Sequence, residues 1–227
     1  MHADDPNRED RKPRLAILVN TIAPYRLPVY AVLAERFETL VLHGGGERNR
    51  TWALDLPAGL ESRQVWTFQL PMRKQTGVAG VWDTQYVHLN LGLLAWLPRI
   101  RPDAILTNEL GLRTLIALVY GRLTGVPVWV QWEGSPHSEL HISRFKRWLR
   151  SRLALQIRHW VSYGASSSEY LRSLGVSDKR VLEVQNCVPH ENFIKPLGRG
   201  KCVVQRRAPA GAAERRATDS PQGVWTG

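Results

Sequence analysis

Short apolar runs alternate with helical segments along most of this 227-residue chain. A short run of aliphatic residues between polar ones is typical of a buried strand, and Gly or Pro often ends the helix that follows. The predicted strands are residues 15–20, 39–42, 104–107, 128–131, 160–163 and 180–185. Because short joins connect these segments, the pattern favours a parallel sheet with helices on both faces. We therefore expect an α/β fold with three layers.

The predicted helices lie between these strands, at residues 29–37, 83–100, 112–123 and 167–174. The prediction for 83–100 depends on Tyr86, Leu89, Leu93 and Leu97, which recur at intervals of three and four. Before it, residues 65–70 are interpreted as a strand and residues 72–77 as a basic loop.

Polar residues gather where the predicted strands end, which is where open α/β sheets bind their ligands. We expect these strand ends to supply the substrate-binding residues and the catalytic ones. The substrate-binding candidates are Asn20, Pro24, Tyr25, Arg26, Glu109, Gly164 and Ser166, and the catalytic candidates are Glu133 and His137.

The turn at Gly164 follows a predicted strand directly and opens a helix. Free backbone N–H groups and the positive end of the helix dipole suit an anionic or sugar ligand at such a turn. The simpler interpretation is that Ser166 or Ser167 caps the helix. Both interpretations stay open from the residues alone.

The net charge of +11 indicates an anionic partner, either a membrane surface, a phosphorylated ligand or nucleic acid. No DNA- or RNA-binding signature accompanies that charge, so no specific nucleic acid is expected. The longest apolar stretch, residues 89–97, is about half of what a bilayer span needs. Two cysteines without metal-binding spacing predict no metal site and a reduced, cytoplasmic setting.

Residues 142–158 contain six arginines or lysines and no acidic residue. Aromatic and aliphatic residues recur there at helical spacing, which predicts an amphipathic helix. Such a helix can dock on anionic lipid at the inner face of a membrane, or simply present a solvated basic face. The membrane-surface candidates are Arg144, Arg147, Trp148 and Arg150.

Four segments together resemble the N-terminal half of a GT-B glycosyltransferase, specifically the glycosyltransferase family 4-like N-terminal domain. They are LAILVNTIAPYRLPVY (15–30), RPDAILTNE (101–109), GVPVWVQWEG (125–134) and WVSYGASSSEYLRSLGV (160–176). The resemblance implies a Rossmann-like domain over residues 14–194, preceded by a disordered leader, residues 1–13. It also implies that a nucleotide-diphosphate sugar is the donor substrate and that no cofactor or metal takes part.

In this family the donor binds mainly to a second, C-terminal domain. Residues 195–227 instead hold seven basic residues against two acidic ones, with little apolar periodicity. We expect this basic tail to be disordered. It is interpreted as a truncated linker or a frameshifted end, with an authentic tail as the alternative.

The resemblance implies hexosyl transfer, with retention of configuration, to a polysaccharide or lipid-linked acceptor. This chain would be the acceptor-side half, with Glu133 or His137 at the acceptor hydroxyl. The alternative is a non-catalytic half-domain that binds an acceptor or a membrane and needs a partner chain for donor binding.

Overall fold

The computed structural model describes residues 11–46, 56–75, 82–139 and 142–185, which all belong to one unit, Met1–Val188. Most of the predicted leader and the whole predicted tail lie outside the described residues. At the end of the leader, Arg11 already forms ion pairs with Glu38 and Asp103 at 3.7 and 3.5 Å.

Seven parallel strands form the central sheet, which confirms the predicted α/β class. They are β1 Arg14–Val19, β2 Glu38–His43, β3 Leu60–Gln64, β6 Ala104–Asn108, β7 Val128–Trp132, β8 His159–Tyr163 and β9 Val181–Val184. The two remaining strands, β4 Phe68–Gln75 and β5 Trp82–Leu89, pair with each other as an antiparallel hairpin. The hairpin leaves the sheet at the carboxyl end of β3.

Within the described residues, five helices and two 3₁₀ turns connect the strands. The helices are α1 Leu27–Arg36, α2 Leu93–Ile100, α3 Leu112–Thr124, α4 Arg144–Gln156 and α5 Ala165–Ser173. The 3₁₀ turns are Pro24–Arg26 and Asp178–Arg180. Pro28 lies in the first turn of α1, where its missing N–H costs no hydrogen bond.

Alternate residues of β1 divide between two apolar cores, one on each face of the sheet. Leu15, Ile17 and Val19 belong to the core that α1 covers, whereas Ala16 and Leu18 belong to the core that the other four helices line. Since both faces of β1 are buried, its residues from Leu15 to Val19 are all apolar, as a parallel strand between helical layers requires.

The order of the strands across the sheet is β3-β2-β1-β6-β7-β8-β9. After β1, the chain adds β2 and then β3 on one side of β1. It then crosses to the other side of β1, where it adds β6, β7, β8 and β9 in turn. The reversal falls between β1 and β6, and at such a switch point the connections part and leave a crevice at the carboxyl ends of the strands.

Two predictions between residues 65 and 100 are wrong, and the strand predicted at 65–70 is confirmed only for residues 68–70, which belong to β4. Residues 82–89, predicted as the first half of a helix, form β5, and residues 72–75, predicted as a loop, belong to β4. The apolar spacing over residues 86–97 spans the end of a strand and the start of a helix, so its helical period is coincidental. Pairing with β4 decides the structure of β5, and the residues of one strand do not reveal that pairing.

Close packing of α3 against the entry to β7 yields the first prediction. A Cβ atom on Gly121 would lie 2.6 Å from the carbonyl oxygen of Val126 and 2.7 Å from Cγ2 of Val128. We expect Gly121→Ala to lower the free energy of unfolding by about 1–3 kcal/mol, measured by urea denaturation. In the control Gly111→Ala, no atom lies within 4 Å of the new methyl group, so the expected loss is under about 1 kcal/mol. Equal losses in the two variants would contradict the close approach.

Candidate functional site

A crevice of about 1000 Å³ opens at the switch point between β1 and β6. Its walls come from the loop after β1, the end of β5, the loop between β6 and α3, the loop after β7, and α4. Four predicted substrate-binding residues and one predicted catalytic residue line it: Asn20, Tyr25, Arg26, Glu109 and Glu133.

Arg26 is the centre of one wall of the crevice. Its side chain is 7% exposed and forms an ion pair with Glu133, whose side chain is 45% exposed. The guanidinium also lies over the ring of Tyr163, at 4.3 Å from the ring centroid. A buried cation is stable only when it is paired, so Arg26 fixes Glu133 at the edge of the crevice.

Tyr30 packs beneath this pair and is 2% exposed. Burial raises the pKa of Tyr30 to about 12, an effect that the nearby Arg26 partly opposes. The phenol therefore stays protonated at neutral pH, and Glu133 is the anionic partner of Arg26.

Arg113 occupies the switch point itself and is 4% exposed. Its guanidinium donates hydrogen bonds to the side-chain oxygens of Asn20 and Asn108 and, at 2.8 Å, to the carbonyl oxygen of Asn108. Glu109 lies 3.6 Å away and completes an ion pair. Burial lowers the pKa of Arg113, and the Glu109 carboxylate opposes that shift. One buried cation thus joins the end of β1 to the end of β6.

Glu109 adopts a left-handed backbone conformation, with φ at 65°. This conformation costs a residue with a side chain about 1–2 kcal/mol. The Thr114 hydroxyl donates to the Glu109 carbonyl oxygen at 2.6 Å, and Asn20 donates to its carboxylate at 3.4 Å. The surrounding hydrogen bonds therefore hold a strained residue at the crevice, as is frequent at functional sites.

A third arginine–carboxylate pair lies on the side of the crevice formed by α4. Arg150 donates to Glu139 and, at 3.3 Å, to the Tyr170 hydroxyl, and it lies 5.4 Å from the ring centroid of Trp132. Its side chain is 14% exposed. The prediction that Arg150 belongs to an exposed membrane surface is therefore wrong, because its charge is neutralised inside the fold.

The other membrane-surface candidates, Arg144, Arg147 and Trp148, are exposed on α4 as predicted. Among the described residues, no helix is long and apolar enough to cross a bilayer. No group of three or more potential metal ligands occurs within the same residues.

Four of the predicted site residues are absent from the lining of the crevice, namely Pro24, His137, Gly164 and Ser166. His137 is exposed in the turn that follows Glu133. Of the two catalytic candidates, only Glu133 therefore belongs to the crevice lining. Gly164, with φ at 90°, is the N-cap residue of α5. Neither Ser166 nor Ser167 caps the helix. Ser167 instead donates to the carbonyl oxygen of Tyr163 at 3.3 Å. The serine-cap interpretation is wrong.

Sequence reasoning missed Arg113 and Glu139 as parts of the site, and it noted Asn108 at the end of a predicted strand without choosing it as a candidate. Arg113 did carry a signal, because it lies four residues after Glu109 and shares its helix with mostly apolar residues. Asn108 carried the signal of its position directly after a predicted strand, whereas Glu139 carried none, since its partner Arg150 lies eleven residues later.

Similarity to solved structures concerns the fold. The chain is similar to Anabaena Alr3699/HepE in complex with UDP, at a TM-score of 0.51 and 11% identity, and to the same protein in complex with UDP and glucose, at 0.53 and 12%. Both alignments cover 81% of this chain and 47% of HepE, so the chain spans about half the length of these structures. They confirm a Rossmann-like sheet of the GT-B type, and the family 4-like resemblance stays a prediction.

Neither a protein-family model nor a curated protein matches the sequence.

The role of Arg113 yields the second prediction. Arg113→Met removes the donor that Asn20 and Asn108 share and leaves partly buried acceptors without that partner. We expect a loss of about 2–4 kcal/mol in the free energy of unfolding, measured by urea denaturation. Arg122→Met on the same helix is the control: Arg122 is exposed, and a change of less than about 0.5 kcal/mol is expected. If the two variants lose the same stability, Arg113 does not join the two strands.

Proposed function

We propose that this chain is the acceptor-side half of a glycosyltransferase that moves a hexosyl group from a nucleotide-diphosphate sugar. The observation that carries the proposal is the pairing of charges in the crevice. Arg26, Arg113 and Arg150 each have a carboxylate partner there, namely Glu133, Glu109 and Glu139.

A crevice lined by neutralised ion pairs and amides suits a polyhydroxylated ligand. Carboxylate oxygens accept hydrogen bonds from sugar hydroxyls, and Asn20 can both donate and accept. A diphosphate needs several cations whose charge is not already neutralised, and Lys146 is the one lining cation that no carboxylate among the described residues pairs with. These charges therefore favour the sugar acceptor as ligand, with the diphosphate held by a second domain.

The solved structures support only the nucleotide-sugar part of the proposal. HepE has been crystallised with UDP, with UDP-glucose and with UDP and glucose together. This chain covers about half of HepE, and we propose that a second domain, in the same chain or a partner chain, supplies the nucleotide site.

Glu133 is the residue that we propose to act at the acceptor hydroxyl. The hydroxyl oxygen would form a bond to C1 of the donor sugar, the bond from C1 to the diphosphate oxygen would break, and the electron pair would leave with the diphosphate. The hydroxyl proton would pass to Glu133. Retention of configuration is part of the proposal and follows from the resemblance alone.

Calorimetric titration tests this division of roles. UDP titrated into the 227-residue chain should bind more weakly than about 1 mM, because each arginine of the crevice lining is already paired with a carboxylate and Lys146 is a single exposed cation. The same titration in the presence of a donor-binding domain should give clear saturation. Tight UDP binding by the chain alone would place the donor site here and overturn the proposal.

The role of Glu133 is tested by transfer activity in that reconstituted protein. We expect Glu133→Gln to lower the rate by about 10²–10⁴-fold, as loss of a proton acceptor does. His137→Gln is the control, and its rate should stay close to that of the unaltered protein because His137 lies outside the crevice lining. A larger loss with His137→Gln would assign the proton transfer to the histidine.

A further inference from the structure

Helix α4 presents apolar side chains to solvent rather than to the core. Phe145 is 71% exposed, Trp148 is 54% exposed and Leu149 is 51% exposed. Only its opposite side is anchored, where Ala154 is fully buried. The apolar residues that recur at helical spacing in this segment therefore form a solvent-exposed surface on the first two turns of the helix.

Basic side chains surround these three residues. Arg144, Lys146, Arg147 and Arg152 are exposed on the same helix, which contains no acidic residue. We call Phe145, Trp148 and Leu149, together with these four basic residues, the outer face of α4. A face with this composition combines apolar area with positive charge.

Ring contacts order the centre of the outer face. The rings of Phe145 and Trp148 stack at 5.9 Å between centroids, and the Arg152 guanidinium lies 5.6 Å from the Trp148 ring centroid. The aromatic side chains are thus held together as one patch, which reduces the entropy that they lose on contact with a partner.

We propose that the outer face of α4 docks on the surface of an anionic lipid bilayer. Aromatic and aliphatic side chains favour the boundary between head groups and acyl chains, and basic residues attract anionic head groups. A second copy of this chain is a poorer partner, because pairing two outer faces would bring eight basic residues together. Nucleic acid would satisfy the charges but leave Leu149 without an apolar environment.

Docking would also bring the crevice to the membrane. Lys146 and Arg150 of the same helix line the crevice. An acceptor carried on a lipid could then enter without leaving the bilayer surface. The docking itself does not depend on which reaction the crevice supports.

Vesicle co-sedimentation of the complete chain tests the proposal. Vesicles of phosphatidylcholine with phosphatidylglycerol should bind the chain, and vesicles of phosphatidylcholine alone should bind it far more weakly. Phe145→Ser/Trp148→Ser and, separately, Arg144→Glu/Arg147→Glu should each lower the partition coefficient at least about tenfold.

Matched controls remove exposed apolar area and positive charge elsewhere on the chain. Val119 and Leu123 on α3 are 51% and 81% exposed, so Val119→Ser/Leu123→Ser removes comparable apolar area. Arg122→Glu/Lys179→Glu makes the same change in net charge as the double charge reversal on α4. Both controls should bind like the unaltered chain, and all variants keep residues 195–227, so any contribution of the basic tail is constant.

Three results would overturn the proposal. In the first, the α4 variants bind vesicles as well as the controls do. In the second, the unaltered chain does not distinguish the two kinds of vesicle. In the third, light scattering shows a dimer that Phe145→Ser/Trp148→Ser disrupts, without vesicle binding. Circular dichroism of each variant separates loss of docking from loss of folding.

Discussion

The parallel pairing of β1 with β6 is the constraint on which the rest of the molecule depends. It joins residues about ninety positions apart, Leu15 with Ala104 and Leu18 with Thr107. Because β1 also pairs with β2, the first strand becomes the point from which the sheet grows in both directions. The crevice exists because the loops that leave β1 and β6 diverge at this point.

The crevice is polar, and each arginine that lines it has a carboxylate partner. Arg113 is buried and donates hydrogen bonds to Asn20 and Asn108. It therefore holds these side chains in place, and its charge is not accessible to a ligand. Glu109 and Glu133 are the more exposed members of their pairs, with 62% and 45% of their side chains accessible. A ligand would therefore meet carboxylates and amides first, which favours hydroxyl groups over phosphates.

Six of the seven strands of the sheet were predicted, because the central strands are buried on both faces. The strand β3 was missed, since its residues are mostly polar and exposed. Apolar runs such as residues 15–19 and 104–107 need no partner to be recognised. The hairpin was missed because its strands are not uniformly apolar and owe their structure to pairing with each other. A helix was predicted across the boundary between β5 and α2 because apolar residues recur there at helical spacing, namely Tyr86, Leu89, Leu93 and Leu97.

Candidate site residues were predictable as far as strand ends determine them. Three neighbouring strands of the sheet, β1, β6 and β7, are followed by Asn20, Glu109 and Glu133. Because open α/β sheets bind ligands at the carboxyl ends of their strands, the sequence predicted that these residues would share one crevice. Arg150 could not be assigned correctly, since its sequence neighbours are basic and its partner Glu139 lies eleven residues earlier in a loop.

The location of the ligand site is the central claim, and amide chemical shifts of the isotopically labelled chain test it most directly. During titration with glucose, the account predicts that the largest shifts fall at Asn20, Glu109 and Gly134, around the switch point. The groove between α3 and α4, near Leu118 and Leu153, should be unaffected. Shifts concentrated in that groove, or equal shifts throughout the chain, would contradict the account.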